Sequence, residues 1–195
     1  HPISPGKEPG DGSGPDFRLF GVDTMTDTSI ERLSEFRGND LADLCDAAEV
    51  AIVAGGGFGW LQPPRRDIME AYWRGTLLVP GRTVFVGRLE GVIAGSAQLN
   101  RPRANAEAQS FTVQVTTFFV APWARGHGIA PGMLEACEDL ARREAYTVLN
   151  LDVRSTQERA IQIYEESGYI RWGTHPKYAR FSGEYVEGYY YTKDL

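Results

Sequence analysis

Residues Phe111–Leu140, FTVQVTTFFVAPWARGHGIAPGMLEACEDL, decide what fold this chain can adopt. Apolar residues stand at every second position from Phe111 to Val115, a period that is typical of a β-strand. The strand is expected to end at Ala121-Pro122, because proline has no backbone N–H and disfavours a helical residue before it. A helix is predicted next, and its apolar face would be formed by Met133, Leu134, Cys137, Leu140 and Ala141.

A glycine turn, Arg125–Ala130, joins this strand to this helix. Free N–H groups and the positive end of the helix converge there, which favours an anion such as phosphate. Gly126 and Gly128 have no side chain that would hold a phosphate away from the backbone. The chain has no P-loop spacing, and Gly126-x-Gly128 is followed by Pro131, so the third glycine of a Rossmann turn is absent.

The turn resembles the acetyl-CoA site of the GNAT N-acetyltransferase family, whose signature is [Q/R]-x-x-G-x-[G/A]. Arg125, Gly128 and Ala130 fill that signature, after a strand that ends in Phe118-Phe119-Val120. A second family run, L-x-V…N-x-x-A-I-x-x-Y-x-x-x-G-F, is matched further along the chain by Leu151-Asp152-Val153, Ala160-Ile161, Tyr164 and Gly168-Tyr169. The usual Asn of that run is Gln157 here, which puts its pantetheine or backbone contact in doubt.

The resemblance implies an α/β (α+β) fold with a single domain. Its mixed, mostly antiparallel twisted sheet would be flanked by helices and would splay at the centre between two adjacent parallel strands. Acetyl-CoA would lie in that wedge as a co-substrate, and no metal is expected, because His127 has no partner ligands. The residues expected to bind acetyl-CoA are Phe118, Phe119, Val120, Arg125, Gly126, His127, Gly128, Ile129, Ala130, Gln157 and Tyr164.

The resemblance also assigns Tyr164 as the acid that protonates the departing thiolate. A phenol suits this task, since its reference pKa of about 10 lies above the roughly 8.5 of a thiol. From spacing alone, a core position on an amphipathic helix is the favoured interpretation of Tyr164, and the family resemblance reverses that preference. Many family members carry a Glu base on the central strand, where this chain has Gln114 and Thr116. Asp152 is therefore the predicted base, and a structural role for this carboxylate stays open.

The acceptor is expected to be a primary amine of a small molecule. The segments GGGFGW, VIAGSAQL and LDV…YEESGYIRWGTHPKY resemble the detoxifying branch that includes tabtoxin-resistance acetyltransferases. The predicted acceptor-binding residues are Phe58, Trp60, Gln114 and Tyr178.

Two alternatives to this function stay open. The first is a non-catalytic acyl-CoA-binding or sensor domain, because the strand Glu and the usual Asn are both missing. The second is dinucleotide binding at Gly55–Gly59, although Trp60 stands where the third glycine of that motif belongs.

Composition excludes several classes of protein. The chain has 195 residues, 42% of them hydrophobic and 24% charged, which suits one globular domain. A net charge of −6 at pH 7 argues against a nucleic-acid partner, whose phosphates a binding surface must neutralise. No apolar run approaches the roughly 20 residues of a membrane span, so no membrane partner is expected. A homodimer is considered, because family members often pair through sheet edges.

The cysteines and the N-terminus bear on location and domain bounds. Cys45 and Cys137 occupy apolar positions of predicted helices, so no disulfide is expected. Since no secretory signal is visible either, a cytoplasmic protein is predicted. Residues 1–16 are mostly Pro, Gly, Ser and charged residues, and are expected to be a disordered leader or a remnant of truncation. The N-acetyltransferase domain is expected over residues 17–195.

The remaining elements follow from periodicity and turn residues. A first strand is expected at Phe17–Val22, and a short helix or turn at Thr28–Phe36. The later helices are predicted at Asn39–Ala54, Pro63–Arg74 and Gln157–Ser167. The later strands are predicted at Thr83–Leu89, Val92–Leu99, Tyr146–Val153, Tyr169–Arg180 and Glu184–Tyr191.

Overall fold

Seven strands and four α-helices are formed by residues 26–195, the part of the chain that this computed structural model describes. The strands are β1 Thr28–Leu33, β2 Arg82–Leu89, β3 Val92–Asn100, β4 Thr112–Val120, β5 Val148–Arg154, β6 Ile170–Phe181 and β7 Glu184–Asp194. The helices are α1 Asp40–Val53, α2 Arg66–Thr76, α3 Ile129–Arg143 and α4 Glu158–Glu166.

The seven strands form one sheet in the order β1-β2-β3-β4-β5-β7-β6. All neighbouring strands are antiparallel except β4 and β5, which are parallel. A parallel pair needs a crossover connection, and α3 supplies it here. The predicted fold class, a mixed and mostly antiparallel sheet flanked by helices, is confirmed.

The central parallel pair separates after a short contact. Only Thr112–Gln114 of β4 pair with Val148–Asn150 of β5, although β4 continues to Val120 and β5 to Arg154. Backbone groups on the facing edges beyond that contact therefore have no ladder partner across the gap. This is the splay that the sequence predicted.

A bulge in β4 sharpens the separation. The register against β3 shifts between Ser96 and Gln98, so Thr117 and Phe118 together face one residue of β3. Thr117 has a φ of 48°, a left-handed conformation that a β-branched residue rarely adopts. No local feature of the sequence marks this bulge, because Thr117 lies within an unbroken β-favouring run.

The helices cover the two faces of the sheet to different extents. On one face, α3 and α4 pack over strands on both sides of the splay, with Met133, Cys137 and Tyr164 in a continuous core. On the other face, α1 and α2 form a second core with residues of β1 to β4 and the segment that follows β4. No residue of β5, β6 or β7 belongs to that second core within the described chain. The second face is therefore open beside the gap.

The N-terminal boundaries differ from those expected. The segment Thr28–Phe36, predicted as a helix or turn, contains the edge strand β1, which pairs with β2 from Thr28↔Leu89 to Leu33↔Val84. Pairing with a distant strand decides this conformation, and the segment's own residues do not reveal it. The helix predicted from Pro63 begins at Arg66. Residues 1–16 and the strand predicted at Phe17–Val22 lie outside the described residues.

Two expectations drawn from composition concern the cysteines and the membrane. Cys45 and Cys137 are both buried and unpaired, and each lies on a helix as predicted. None of the helices in residues 26–195 is long and apolar enough to cross a membrane.

Candidate active site

Two adjoining cavities follow the gap between β4 and β5. The first measures about 280 Å³ and includes Arg125 and Ala130 in its lining. The second measures about 510 Å³ and includes Asp152 and Tyr164. The two cavities share three lining residues, namely Gly57, Phe118 and Gln157. The gap therefore holds one cleft with two differently built ends.

The first end is made largely of backbone. Gly126 and Gly128 have φ values of 82° and 76°, and Gly128 is the N-cap of α3. The first intrahelical bond is donated by the Gly132 N–H to the Gly128 carbonyl. Among the described residues, no acceptor is found for the N–H groups of residues 126–130. Five consecutive free donors thus lie at the positive end of a 15-residue helix, a suitable environment for a phosphate group.

Charged side chains supplement these amides. Arg125 and Arg159 both line the first cavity, and Arg159 was not identified from the sequence. Its position in the first turn of α4 becomes meaningful only when α4 is packed beside the turn before α3. His127 is exposed, and the side chain of Ile129 is buried against the sheet, so Ile129 presents only its N–H at this end.

A glycine loop after α1 closes the first cavity. Gly55, Gly56 and Gly57 line it, and the Gly57 N–H donates to Gln157 Oε1 at 3.4 Å. A Cβ added to Gly57 would lie 2.9 Å from the Phe118 carbonyl oxygen, so only glycine permits this approach. The loop follows a helix, whereas a dinucleotide turn must follow a strand. The alternative of dinucleotide binding at Gly55–Gly59 is therefore wrong.

The edge of β4 forms the wall between the two ends. The Ala121 N–H donates to the Ala94 carbonyl on β3 at 2.7 Å. Because N–H directions alternate along a strand, the Val120 N–H is directed to the other side, into the gap. Phe118 packs toward α4 and Phe119 toward α1 and α2, so the side chains anchor the wall on both faces.

Tyr164 lies at the second end of the cleft, next to Phe118. Its residue is 4% exposed, and its ring centroid is 5.5 Å from that of Phe118. Within residues 26–195, its hydroxyl group makes no hydrogen bond, although its residue lines the second cavity. Burial raises the pKa of Tyr164 above its ordinary value, and the nearby charge of Asp152 raises it further. The hydroxyl therefore keeps its proton at neutral pH and is available to donate it.

Asp152 lies at the same end of the cleft as Tyr164. Tyr178 donates its hydroxyl hydrogen to Asp152 Oδ1, and Gln114 Nε2 lies 3.4 Å from Oδ2. Burial, followed by the hydrogen bond to Asp152, raises the pKa of Tyr178, so this phenol stays protonated as a donor. A carboxylate has further lone pairs available beyond these two contacts. The arrangement orients Asp152 and leaves it able to accept a proton.

The predicted acceptor residues are distributed unevenly around this end. Phe58 and Tyr178 line the second cavity together with Asp152, but the Phe58 ring is mostly buried in the core under α1 and α2. Trp60 stacks behind Phe58, with ring centroids 6.1 Å apart. Gln114 lines a neighbouring cavity of about 510 Å³ that meets the second one at Asp152. The acceptor-binding roles of these residues stay predictions.

Comparison with known proteins identifies the family. Residues 47–169 match the model described as the acetyltransferase (GNAT) family. The chain belongs to the GNAT acetyltransferase family. It is also 58% identical over 135 residues to an uncharacterized N-acetyltransferase from the hisH–hisA intergenic region of Azospirillum brasilense, covering 69% of this chain and 80% of that relative. This enzyme is therefore an acyltransferase, as predicted.

Solved structures of other acetyltransferases share the fold. YncA of Salmonella typhimurium, solved with its cofactor acetyl-CoA, superimposes with a TM-score of 0.70 at 20% identity and covers 87% of this chain and 94% of its own. A phosphinothricin acetyltransferase of Sinorhizobium meliloti in complex with acetyl-CoA gives a TM-score of 0.70 at 16% identity, covering 86% and 88%. The tabtoxin-resistance branch stays a prediction.

Proposed function

We propose that this GNAT enzyme transfers an acetyl group from acetyl-CoA to a primary amine of a small molecule, by direct attack within a ternary complex. The observation that carries the proposal is the single cleft through the splayed sheet. Free amides and arginines form one end of it, and Tyr164 and Asp152 lie at the other. A long donor with phosphates at one end and a reactive group at the other matches this division.

The residues of the first end fit acetyl-CoA. The N–H groups of residues 126–130 and the guanidinium groups of Arg125 and Arg159 would hold its pyrophosphate. No atom lies within 4 Å of a Cβ built on Gly126 or Gly128, so the space above the turn is open for a phosphate. The neighbouring gap, bordered by Gly57 and Gln157, would take the pantetheine arm.

When bound, acetyl-CoA would supply an acetyl thioester, in which the bond from carbon to sulfur breaks as the bond to the amine nitrogen forms. The Val120 N–H would donate to the carbonyl oxygen, where negative charge develops during attack. The hydroxyl of Tyr164 would give its proton to the departing sulfur as the carbon–sulfur bond breaks. Its raised pKa keeps the phenol protonated until negative charge develops on that sulfur.

The acceptor amine must lose a proton, because an ammonium group has no lone pair for attack. Asp152 is the carboxylate that lines the second cavity, and it would take this proton directly or through a water molecule. Tyr178 and Gln114 would hold the carboxylate in position. The position of the usual strand Glu is Gln114 here, so this enzyme would depend on the base that β5 provides.

Titration with acetyl-CoA and a thiol-release assay test the proposal in two steps. We expect calorimetry to detect acetyl-CoA binding, and release of free CoA thiol to depend on added small amines. Binding without release across a broad amine panel would instead support the acyl-CoA sensor alternative. Absence of acetyl-CoA binding would contradict both functions.

A further inference from the structure

Few charged residues in residues 26–195 have buried side chains, and not all of these have an oppositely charged partner. Asp40, Glu138 and Arg154 are each less than 10% exposed. Asp40 is paired with Arg88, at 2.8 Å between Oδ1 and Nη1. Glu138 is paired with Lys193 and lies 3.8 Å from Arg142. Arg154 has no acidic partner in the described chain.

The contacts that Arg154 does make leave its charge uncompensated. Its Nη2 donates to the Phe58 carbonyl oxygen at 2.7 Å, and its guanidinium carbon lies 5.1 Å from the ring centroid of Phe181. Among the described residues the side chain of Arg154 makes no other hydrogen bond or cation–π contact, although a guanidinium has five N–H donors. Burial lowers the pKa of Arg154, but a guanidinium remains charged in a protein. A buried cation without a counterion is costly, so a site of this kind favours an anion.

The position of Arg154 relates it to the predicted base. Asp152 and Arg154 are two residues apart on β5, which places both on one side of the strand, roughly 7 Å apart along the backbone. Both line the second cavity, together with Tyr178 and Arg180. Arg180 is exposed at this cavity and adds positive charge to it. A proton acceptor and an unpaired cation therefore border the same space near Tyr164.

We infer that Arg154 binds an acidic group of the acceptor, and that the acceptor is a small amino acid carrying both the amine and a carboxylate. This inference rests on the proposed acetyl transfer and names its substrate class. With its amine beside Asp152, an amino acid would direct its carboxylate along β5 to Arg154. A guanidinium can hold a carboxylate through two parallel hydrogen bonds, which fixes orientation as well as charge.

The test compares amino acids with their own carboxamides, which keep the amine and side chain but lose the charge. For the wild-type enzyme we expect kcat/KM to be about 10- to 100-fold higher for the acid than for the amide, since a hydrogen bond to a charged group contributes about 1.5–3 kcal/mol. The difference should lie mainly in KM. Aminophosphonic acids in the same assay distinguish a carboxylate site from one that prefers phosphorus acids.

Variants assign the preference to one residue. Arg154→Gln should bring the ratio of acid to amide near one, and Arg154→Lys should restore part of it. Arg180→Gln is the matched control, and it should retain most of the preference because an exposed charge is screened by solvent. Thermal unfolding checks that each variant folds. The comparison of acid and amide in the wild-type enzyme stands even if the Arg154 variants do not fold.

The outcomes separate this inference from the proposed function. An enzyme that binds acetyl-CoA but acetylates amides or simple amines as well as amino acids overturns the inference and leaves acetyl transfer intact. Failure of every amino acid in the panel, with acetyl-CoA still bound, also overturns it. If Arg180→Gln loses the preference for the acid and Arg154→Gln keeps it, the acidic group is bound by Arg180, and the role inferred for Arg154 is rejected.

Discussion

The two ends of the cleft are built from different materials. The end near α3 consists of consecutive backbone amides, presented by the turn Arg125–Ala130. The end near Asp152 consists of side chains that come from β4, β5, α4 and β6, brought together by the sheet. Backbone amides bind a phosphate group, which many ligands share. Side chains that converge from several elements can instead select one ligand. We expect the first end to determine donor affinity and the second to determine turnover and acceptor choice.

The largest effect is expected from Tyr164→Phe. Removing the proposed acid should lower kcat by about 10²- to 10⁴-fold, the usual contribution of a positioned acid. The dissociation constant for acetyl-CoA, measured by calorimetry, should change little, because the substitution keeps the aromatic ring that borders the donor and removes only the hydroxyl, which is needed when the thiolate departs.

The matched control is Tyr169→Phe. Tyr169 is also buried, its ring centroid is 6.0 Å from that of Tyr164, and its hydroxyl has no partner in the described chain. It lines neither cavity of the cleft. Unchanged turnover in Tyr164→Phe, or an equal loss in both variants, would remove the acid role from Tyr164.

A second, smaller loss is expected from Asp152→Asn. If Asp152 takes the proton of the amine, the limb of the pH–rate profile that rises with pH should shift or disappear, and kcat should fall about 10²-fold. Asp139→Asn, an exposed carboxylate on α3, serves as the control. A profile identical to that of the wild-type enzyme would assign Asp152 to orientation of Tyr178 only.

The opposite end is probed by Gly128→Ala. Its φ of 76° disfavours any side chain, at a cost of about 1–2 kcal/mol. Alanine should therefore shift the turn away from the conformation that presents its N–H groups, and acetyl-CoA affinity should fall about 10-fold. The kcat for bound donor should change less. Gly183→Ala is the control, because Gly183 also has a positive φ and open space but lies in the β6–β7 hairpin. Equal acetyl-CoA affinities in the two variants would contradict donor binding by this turn.

The smallest effect on acetyl transfer is expected from Asp40→Asn, whose predicted effect is on the free energy of unfolding. Asp40 joins α1 to Arg88 of β2, and the hydrogen bond from Arg88 lowers the pKa of Asp40. A lowered pKa means that this stabilisation is present above the unfolded value of about 3.9 and is lost as pH falls through the folded value. The wild-type advantage over Asp40→Asn, about 1–3 kcal/mol in urea unfolding at pH 7, should therefore shrink below pH 4. A constant difference across that range would contradict the ion pair.

The contrast between the ends also explains what could be predicted. The first end could be predicted from the sequence, because Arg125, Gly128 and Ala130 are close in the chain and their local conformation is enough to make a phosphate site. Only some residues of the second end could be predicted from the sequence. Tyr164 and Asp152 were found through resemblance to a family run, but Arg154 and Arg159 carry no local pattern that marks them. Their meaning depends on which cavity they line, and on whether a carboxylate lies nearby.

Helix and strand order followed the sequence except at β1, whose partner is more than fifty residues away in β2. The bulge at Thr117 was missed for a related reason. A β-branched residue at positive φ is locally unfavourable, and it persists only because the surrounding sheet determines it. The glycines 55–57 directly follow the helix predicted at Asn39–Ala54, and their contact with β4 is visible only in the folded chain.

By itself, the sequence determined the central strand, the glycine turn and the helix after it, because hydrophobic period, proline and glycine act over a few residues. It also determined the family, through two short runs with fixed spacing. Only the tertiary structure decided how far β4 and β5 separate, which glycine loop closes the gap, and which buried charge lacks a counterion. Those properties depend on distances between elements that are far apart in the chain, and no local preference of a residue encodes such a distance.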